Sequence, residues 1–441
     1  MTSAGETGRG GSPGADEKTN EEYFASYEDV EIHRLMVSDA PRTQAYASAI
    51  RKNKHLFEGK VAMDVGAGTG ILSLFMAAAG ARRVHAVEAS GMAAIIDKVA
   101  EDNGFRDVIQ VHHTRVEDVT LPDDEKVDVI VSEWMGFYLL HESMLNSVIS
   151  ARDRFLSEDG TIFPSEARIY ACPCSLQTLY REQINFWDDV YDFNMTAVKN
   201  YALKSKMIKP EVCLIKEDDL LAEPACVKRF NLRWVTEEEV KLFAETTFVG
   251  INQPGTYQGL SLWFECDFDG REYDEDGQEV GALITLSTSP MSPATHWKQT
   301  VVVLGYGVAQ TPEQPALLCQ ENLNASIDST CPSPATNNGK TEVHNGSSQQ
   351  NLENGSQNME TCDNTIQPDF ANLVEKDEVV GWKLVFAQSE ENTRHYTMTV
   401  EMLDPEEVEH PMPCGCPTPR CAIIAKMMEQ DEDGNDIIDC T

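Results

Sequence analysis

Two carboxylates stand close together in the run SEWMGFYLLHES, Ser132 to Ser143: Glu133 and Glu142. Directly before them lies an apolar run, Val127-Asp128-Val129-Ile130-Val131. That run reads as a buried parallel strand. Open α/β sheets bind their ligands where such strands end. Two acids on one loop suit a cation that takes several charge-assisted hydrogen bonds, and a guanidinium matches them best. A solvated loop with two surface acids is the plain alternative, and this segment alone leaves it open.

A second element narrows the choice. Val61-Ala62-Met63-Asp64-Val65-Gly66-Ala67-Gly68-Thr69-Gly70 reads as a strand running into glycines and then a helix. A dinucleotide fingerprint wants glycine at its first, third and sixth positions. Here the glycines fall at the first, third and fifth, and the sixth is Ile71. The Gly-Lys-Ser/Thr ending of a P-loop is missing too. What remains is a nucleoside-like ligand without phosphates. Glu88 ends the next strand, placed to accept from ribose hydroxyls. Glu117, after the third strand, is placed to meet an adenine edge. S-adenosylmethionine has these parts: adenosine, an amino acid and no phosphate.

The elements that must position these residues alternate. Strands over Val61–Val65, Arg83–Val87 and Ile109–His112 enclose helices over Gly70–Ala79 and Gly91–Asn103, a βαβ series with a parallel sheet. Residues 21–58 have helical spacing, with Tyr23, Phe24 and Tyr27 at the front. After Pro164 the runs Arg168–Ala171, Phe230–Trp234 and Leu260–Asp267 suggest antiparallel strands. A Trp- and Tyr-bearing helical segment, Leu179–Tyr201, interrupts them, and its apolar residues suit packing on a second chain. Residues 1–20 and 311–373 are polar and read as disordered. The expected domains are 21–165, 166–310 with the arm at about 179–201, 374–403 completing the β domain, and a tail at 404–441. The tail carries Cys414, Cys416, Cys421 and Cys440. Cys-x-Cys followed by a lone Cys matches a zinc motif weakly, and no metal is expected.

Composition sets the partners. The chain has 441 residues, 41% of them hydrophobic, with 35 Lys+Arg against 73 Asp+Glu and a formal charge of -38. Such a field repels nucleic acid and anionic membranes and attracts basic proteins. No apolar run is long enough to span a bilayer. Twelve cysteines without a disulfide framework suit a reducing compartment, cytosol or nucleus.

With these features together, the chain resembles the protein arginine methyltransferases, type I branch. The resemblance runs from Tyr23 to about Gln310 and resumes near Val374. It rests on Tyr23-Phe24-x-x-Tyr27, His33, Met36, Asp39, Arg42-Thr43, Tyr46, the DVGAGTG loop, the double-glutamate loop and Thr295-His296-Trp297. The 311–370 insertion and the Cys-bearing tail depart from the family pattern. The resemblance implies an α/β Rossmann-like methyltransferase domain followed by an antiparallel β-barrel with a helical dimerisation arm, the unit being a homodimer. It implies methyl transfer from S-adenosylmethionine to arginine of Arg-rich proteins such as histones, asymmetric dimethylation and a nuclear location. Glu133 and Glu142 would clamp the guanidinium. His296, held by Asp39, would orient it or accept its proton. Arg42 would grip the cofactor carboxylate, with His33, Gly66, Glu88 and Glu117 as further cofactor contacts. Met36 and Met144 would wall the site. Two readings compete. A silent docking module has no reason to keep Glu133, Glu142, Arg42 and Glu88 together. A small-molecule methyltransferase has no need of the large β domain.

Charge generates a first prediction. A surface field is screened over about 8–10 Å at physiological ionic strength, whereas a chemical step in a closed site is local. Raising salt to about 0.5 M should therefore raise KM for a multiply basic peptide and leave kcat nearly unchanged. A peptide with a single arginine should respond much less. Steady-state kinetics on the two peptides decides this, and equal responses would reduce the acidic surface to a solubility device.

Overall fold

A parallel strand covered on both faces must be apolar on both, and β1 (Val61–Val65) is buried at every position. The computed structural model describes residues 23–122, 125–273, 276–305, 318–319 and 373–432. The N-terminal stretch 1–20, nearly all of the insertion 311–373 and Cys440, each given a sequence reading above, lie outside them. β2 (Arg83–Glu88), β3 (Ile109–His113), β4 (Val127–Val131) and β5 (Leu156–Phe163) complete a parallel sheet ordered β3-β2-β1-β4-β5. The order reverses between β1 and β4. That is the switch point at which such sheets open a ligand crevice. The glycine loop leaves β1 on one side of it, and the double-glutamate loop leaves β4 on the other.

Helices α1 (Val30–Ser38) and α2 (Ala40–Lys52) share one joint, Asp39. Its carboxylate caps α2 by accepting from the Arg42 N–H at 3.1 Å, and Pro41 sits in the first turn, where its missing N–H costs nothing. Three more helices carry the crossovers: α3 (Ile71–Ala78), α4 (Ala93–Asp102) and α5 (Leu145–Phe155). Tyr46 of α2 is fully buried and donates its hydroxyl to the Ser132 carbonyl at 2.9 Å. This ties the helix to the end of β4.

Past Pro164 the chain is antiparallel. β6 (Glu166–Cys174), β7 (Glu211–Cys213), β8 (Ala225–Asn231), β9 (Leu242–Gly250), β10 (Gly259–Asp269), β11 (Leu283–Ser287) and β12 (Gln299–Val303) are followed by β13 (Val379–Gln388) and β14 (Tyr396–Leu403). One sheet runs β7-β12-β10-β6-β8 with β11 on β10. The other runs β14-β13-β9, and Leu318–Cys319 pairs with β14. These sheets make the β-barrel domain. Asn53, after α2, grips it with two bonds to the backbone of Ala282, at 2.6 and 3.0 Å.

Two expectations shift. The strand expected over Phe230–Trp234 is β8, and it ends at Asn231. Arg233 turns back to donate to the carbonyls of Glu158 and Gly160, leaving Trp234 exposed. The segment Leu179–Tyr201 is not one helix. A short α turn runs into a π turn at Tyr180–Ile184, then 3-10 turns, then α6 (Lys199–Met207). Tyr191, Phe193 and Tyr201 project from it, 91%, 71% and 77% exposed. Among the described residues no helix is long and apolar enough to cross a membrane.

The central strand holds one ionisable group. Asp64 is fully buried. One carboxyl oxygen accepts from the Ser73 hydroxyl at 2.6 Å, and the other has no partner. Burial pushes this carboxyl up to about 7, with the Ser73 bonds opposing. The folded state thus holds a proton that the unfolded chain, titrating near about 4, gives up. The stabilisation that proton carries is full below about pH 4 and is lost as pH rises through about 7. Asp64→Asn cannot ionise and should gain on the wild type between about pH 4 and pH 8, by at most about 4 kcal/mol. Urea unfolding in pH steps measures it. A difference that stays flat with pH would show that Asp64 is ionised throughout.

Candidate active site

The glycine loop needs backbone that side chains rarely adopt. Gly66, Gly68 and Gly70 all have positive φ, at 75°, 54° and 81°. A Cβ at Gly66 would also collide with the tip of Met144. The loop is held from below by Glu88, which ends β2 nearly buried. One of its oxygens accepts from the Gly68 N–H at 2.7 Å and the other from the Ser90 N–H at 2.8 Å.

The double-glutamate loop is tighter still. Gly136 and Leu139 exchange backbone bonds at 3.0 Å, and a Cβ at Gly136 would strike the His141 carbonyl. Tyr138, Leu139, Glu142 and Ser143 all take positive φ without being glycine. Such residues persist only where the surroundings over-determine them. Here they are held. Ser132 donates to the Val65 carbonyl at 2.7 Å, and Trp297 Nε1 donates to the Met135 carbonyl at 3.0 Å.

Each glutamate has its own fixed partners. Glu133 Oε2 accepts from Arg42 Nε at 3.0 Å and Nη2 at 2.6 Å, and Oε1 accepts from the Met135 N–H at 3.2 Å. Burial alone would lower the Arg42 guanidinium's pKa, but Glu133 raises it beyond its usual value. Glu142 Oε2 accepts from two phenols, Tyr27 at 2.6 Å and Tyr23 at 3.0 Å. Burial first and the Glu142 charge second push both phenols well above their ordinary range, so they stay protonated donors. Asp39 Oδ2 accepts from His296 twice, from Nδ1 at 2.6 Å and from the backbone N–H at 2.8 Å. Burial would raise the Asp39 carboxyl, but these bonds and the Arg42 N–H together hold it below its usual range.

One cavity gathers these groups. His33, Arg42, Gly66, Glu88, Glu117, Glu133, Glu142 and His296 all line it, as do Met36 and Met144. Of the residues given a catalytic or cofactor role by the resemblance, Asp39 alone does not, and it reaches the cavity through His296. Glu117 accepts from the Ser147 hydroxyl at 2.7 Å and pairs with Arg115 at 3.4 Å. His33 Nε2 donates to the Tyr27 carbonyl at 2.8 Å. Four carboxylates thus face three arginines, Arg42, Arg115 and Arg394. Arg42 and Arg115 are each already paired with a glutamate. Carboxylates outnumber arginines in this lining, which suits a cationic ligand better than a pyrophosphate. An adenosine with a sulfonium and a guanidinium fits it.

Residues 62–160 match a family model described as a methyltransferase domain, and residues 165–314 match the arginine methyltransferase oligomerization subdomain. Probable protein arginine N-methyltransferase 6.1 of Oryza sativa subsp. japonica is 40% identical over 64% of this chain and 75% of that protein. Protein arginine N-methyltransferase 2 of Homo sapiens is 42% identical over 65% of this chain. This chain belongs to the protein arginine N-methyltransferase family. It spans 64% of the human relative's length. The Trypanosoma brucei PRMT1 enzyme-prozyme heterotetrameric complex with AdoHcy superposes with a TM-score of 0.63 at 27% identity, covering 88% of this chain and 98% of that one.

Within this family frame, two contributions escaped the sequence reading. Tyr23 and Tyr27 enter the sequence argument only as part of the matching pattern, yet they hold Glu142. Arg394 is the second. Its Nη1 donates to the Glu142 carbonyl at 2.9 Å, its own carbonyl accepts from the Glu142 N–H at 2.8 Å, and its guanidinium lies 3.7 Å over the Tyr23 ring. The phenols carried a usable signal, because two tyrosines one helical turn apart ahead of an acidic site can both reach one carboxylate. Arg394 carried none. It lies in the short loop between β13 and β14, beyond the insertion.

Proposed function

We propose that this chain is a protein-arginine N-methyltransferase of type I that uses S-adenosylmethionine and forms mono- and asymmetric dimethylarginine in Arg-rich proteins such as histones. The observation that carries this reading is the pair Glu133 and Glu142. They come from one strained loop, each is held by separate fixed donors, and both face the cavity that the glycine loop closes. Arg42, His33, Gly66, Glu88 and Glu117 would hold the cofactor, which supplies an activated methyl on a sulfonium when bound. A guanidinium is a poor nucleophile because its lone pairs are delocalised and it stays protonated in water. The two carboxylates fix its plane and draw positive charge toward the nitrogens they touch. The attacking nitrogen keeps more lone-pair character, and orientation of this kind supplies several kcal/mol of the barrier. Asp39 accepts the Nδ1–H of His296, which leaves Nε2 as the ring nitrogen that can take a proton. The Met36 and Met144 side chains wall the cavity, and their bulk sets how many methyls are added.

The reading extends to assembly and place. The exposed aromatic residues of the 179–201 arm dock on a second copy, giving a homodimer. The match to an oligomerization subdomain over residues 165–314 supports this. The net charge of -38 favours basic protein substrates over nucleic acid. A nuclear location and a role in chromatin and transcription follow from histone-like substrates. Incubation with labelled S-adenosylmethionine and either an Arg-rich histone or a Gly-Arg peptide, then acid hydrolysis, separates the methylarginines. Monomethyl and asymmetric dimethyl forms are expected. Symmetric dimethylarginine would overturn the type, and unlabelled arginine would overturn the activity.

Two variants test the parts. Glu142→Gln should leave the cofactor dissociation constant nearly unchanged and cut turnover. One lost charge-assisted contact to a buried cation costs about 1.5–3 kcal/mol, roughly ten- to a hundredfold in rate. A near-normal rate would remove Glu142 from the clamp. Deletion of residues 179–201 should yield a monomer without activity. Sedimentation of the purified variant checks it, and a folded, active monomer would refute docking through the arm.

A further inference from the structure

The tail after β14 turns back on the barrel and gathers four donor atoms around one point. His410 Nδ1 lies 3.3 Å from Cys416 Sγ, 3.3 Å from Cys421 Sγ and 3.6 Å from Cys414 Sγ. All four atoms lie within 4.8 Å of one another. Zinc binds thiolate at about 2.3 Å and imidazole at about 2.0 Å, so the nitrogen-to-sulfur edge of a tetrahedral site is about 3.5 Å. The observed spacings match that edge. The three cysteines are buried, at 6%, 2% and 1% exposure for Cys414, Cys416 and Cys421.

The surroundings prepare these groups for a metal. His410 Nε2 lies 3.0 Å from the Pro405 carbonyl, which can only accept, so the ring proton sits on Nε2 and the Nδ1 lone pair faces the sulfurs. The ring lies flat on Phe248 of β9, centroids 3.7 Å apart and planes 6° apart. Thr418 Oγ1 lies 3.2 Å from Cys416 Sγ, where a hydroxyl can donate to a thiolate. Three thiols and an imidazole form a set that soft, tetrahedral zinc prefers, and the closed arrangement marks a structural site.

Packing shows why an ion is needed there. The tail's buried apolar contacts form a separate small cluster of Phe248, Cys414, Cys416 and Cys421, apart from the main core. The final helix α7 (Pro419–Glu432) carries Cys421 in its first turn and leaves Ile423 and Met427 61% and 60% exposed. One aromatic ring and three thiols, with only the partly buried Val379, Leu403 and Val408 against them, bury little apolar area for a segment of this length. We propose that His410, Cys414, Cys416 and Cys421 bind one zinc ion that fastens the tail to the outside of β9. The sequence alone offers only the three spaced cysteines and Cys440. The fourth ligand is a histidine upstream, four residues before Cys414, in a stretch with no other mark of a site.

The test uses the full chain, expressed with added zinc and purified without chelator. Elemental analysis should find one zinc per chain. Replacement by cobalt should give the thiolate charge-transfer and visible bands of a tetrahedral S3N ion. Cys416→Ser with Cys421→Ser should lose the metal. Should that variant fail to fold, His410→Cys provides the second arm, since a four-thiolate site keeps zinc and moves the cobalt bands toward S4. The site is refuted by a folded wild-type chain that holds no zinc and gives no cobalt spectrum. Zinc retained undiminished in the double variant refutes it too, as does a disulfide among these cysteines in protein kept reduced.

Discussion

A buried carboxylate needs a partner, and the pair formed by Glu133 and Arg42 fixes how this molecule is put together. Their side chains are 8% and 7% exposed and meet at 2.6 Å. Breaking such a pair leaves an uncompensated charge in a poor solvent, at about 3–5 kcal/mol. Its larger consequence is geometric. Glu133 belongs to the loop after β4, and Arg42 to the first turn of α2. The cap of that helix, Asp39, reaches on to His296 at the edge of the barrel. Helix, parallel sheet and barrel, far apart in sequence, are joined through one chain of charge-assisted bonds. All of its links except Asp39 face the cavity.

Glu142 is fixed by a different logic. Its backbone holds a left-handed conformation that costs about 1–3 kcal/mol for a residue of this kind. The cost is offset by contacts that release from elsewhere would break. Two phenols from the N-terminal segment hold the carboxylate, and Arg394 holds the backbone on both its N–H and C=O sides. The phenols matter because they are neutral donors. They fix one carboxylate oxygen without cancelling its charge, as a guanidinium would. Glu133 is held directly by the Arg42 guanidinium, and Glu142 by two phenols with the Arg394 guanidinium on its backbone carbonyl, so the two acids are positioned by different kinds of donor.

What the sequence shows and hides follows from the range of the forces. The parallel sheet was legible because its central strands β1 and β4 are short, nearly apolar runs, and the loops after them carry the glycines and acids at short spacing. Asp39, Arg42 and His296 were legible only through resemblance, since nothing local to Asp39 says that it meets a residue 257 positions away. Arg394 was hidden because its partners stand more than 250 positions upstream, across the insertion. The arm read as a single helix because its apolar spacing is helical. Its π and 3-10 turns come from backbone choices that apolar spacing does not encode. His410 was hidden for a simpler reason. A lone histidine among prolines and acids carries no periodic signal, and only the fold brings it onto Phe248.

The β13–β14 hairpin connects these observations. One end is the short loop that carries Arg394 against Glu142. At the other end β14 leads into the tail that returns to Phe248 on β9, and β9 itself pairs along the whole of β13. A tail fastened there bears on the strand that supports the Arg394 loop from behind. The pairing Val379–Ala387 with Gly250–Leu242 is long, and Trp382, Leu384 and Phe386 are fully buried within it. Such a core strand is stiff. The Arg394 loop therefore owes its position to the sheet, and an ion at the far end secures the exposed edge of that sheet rather than tuning the chemistry. Edge strands present unpaired backbone and invite unwanted pairing unless they are covered. A metal-tied tail across β9 shields the outer face beside such an edge, leaving the cavity end of the same hairpin free to hold its arginine.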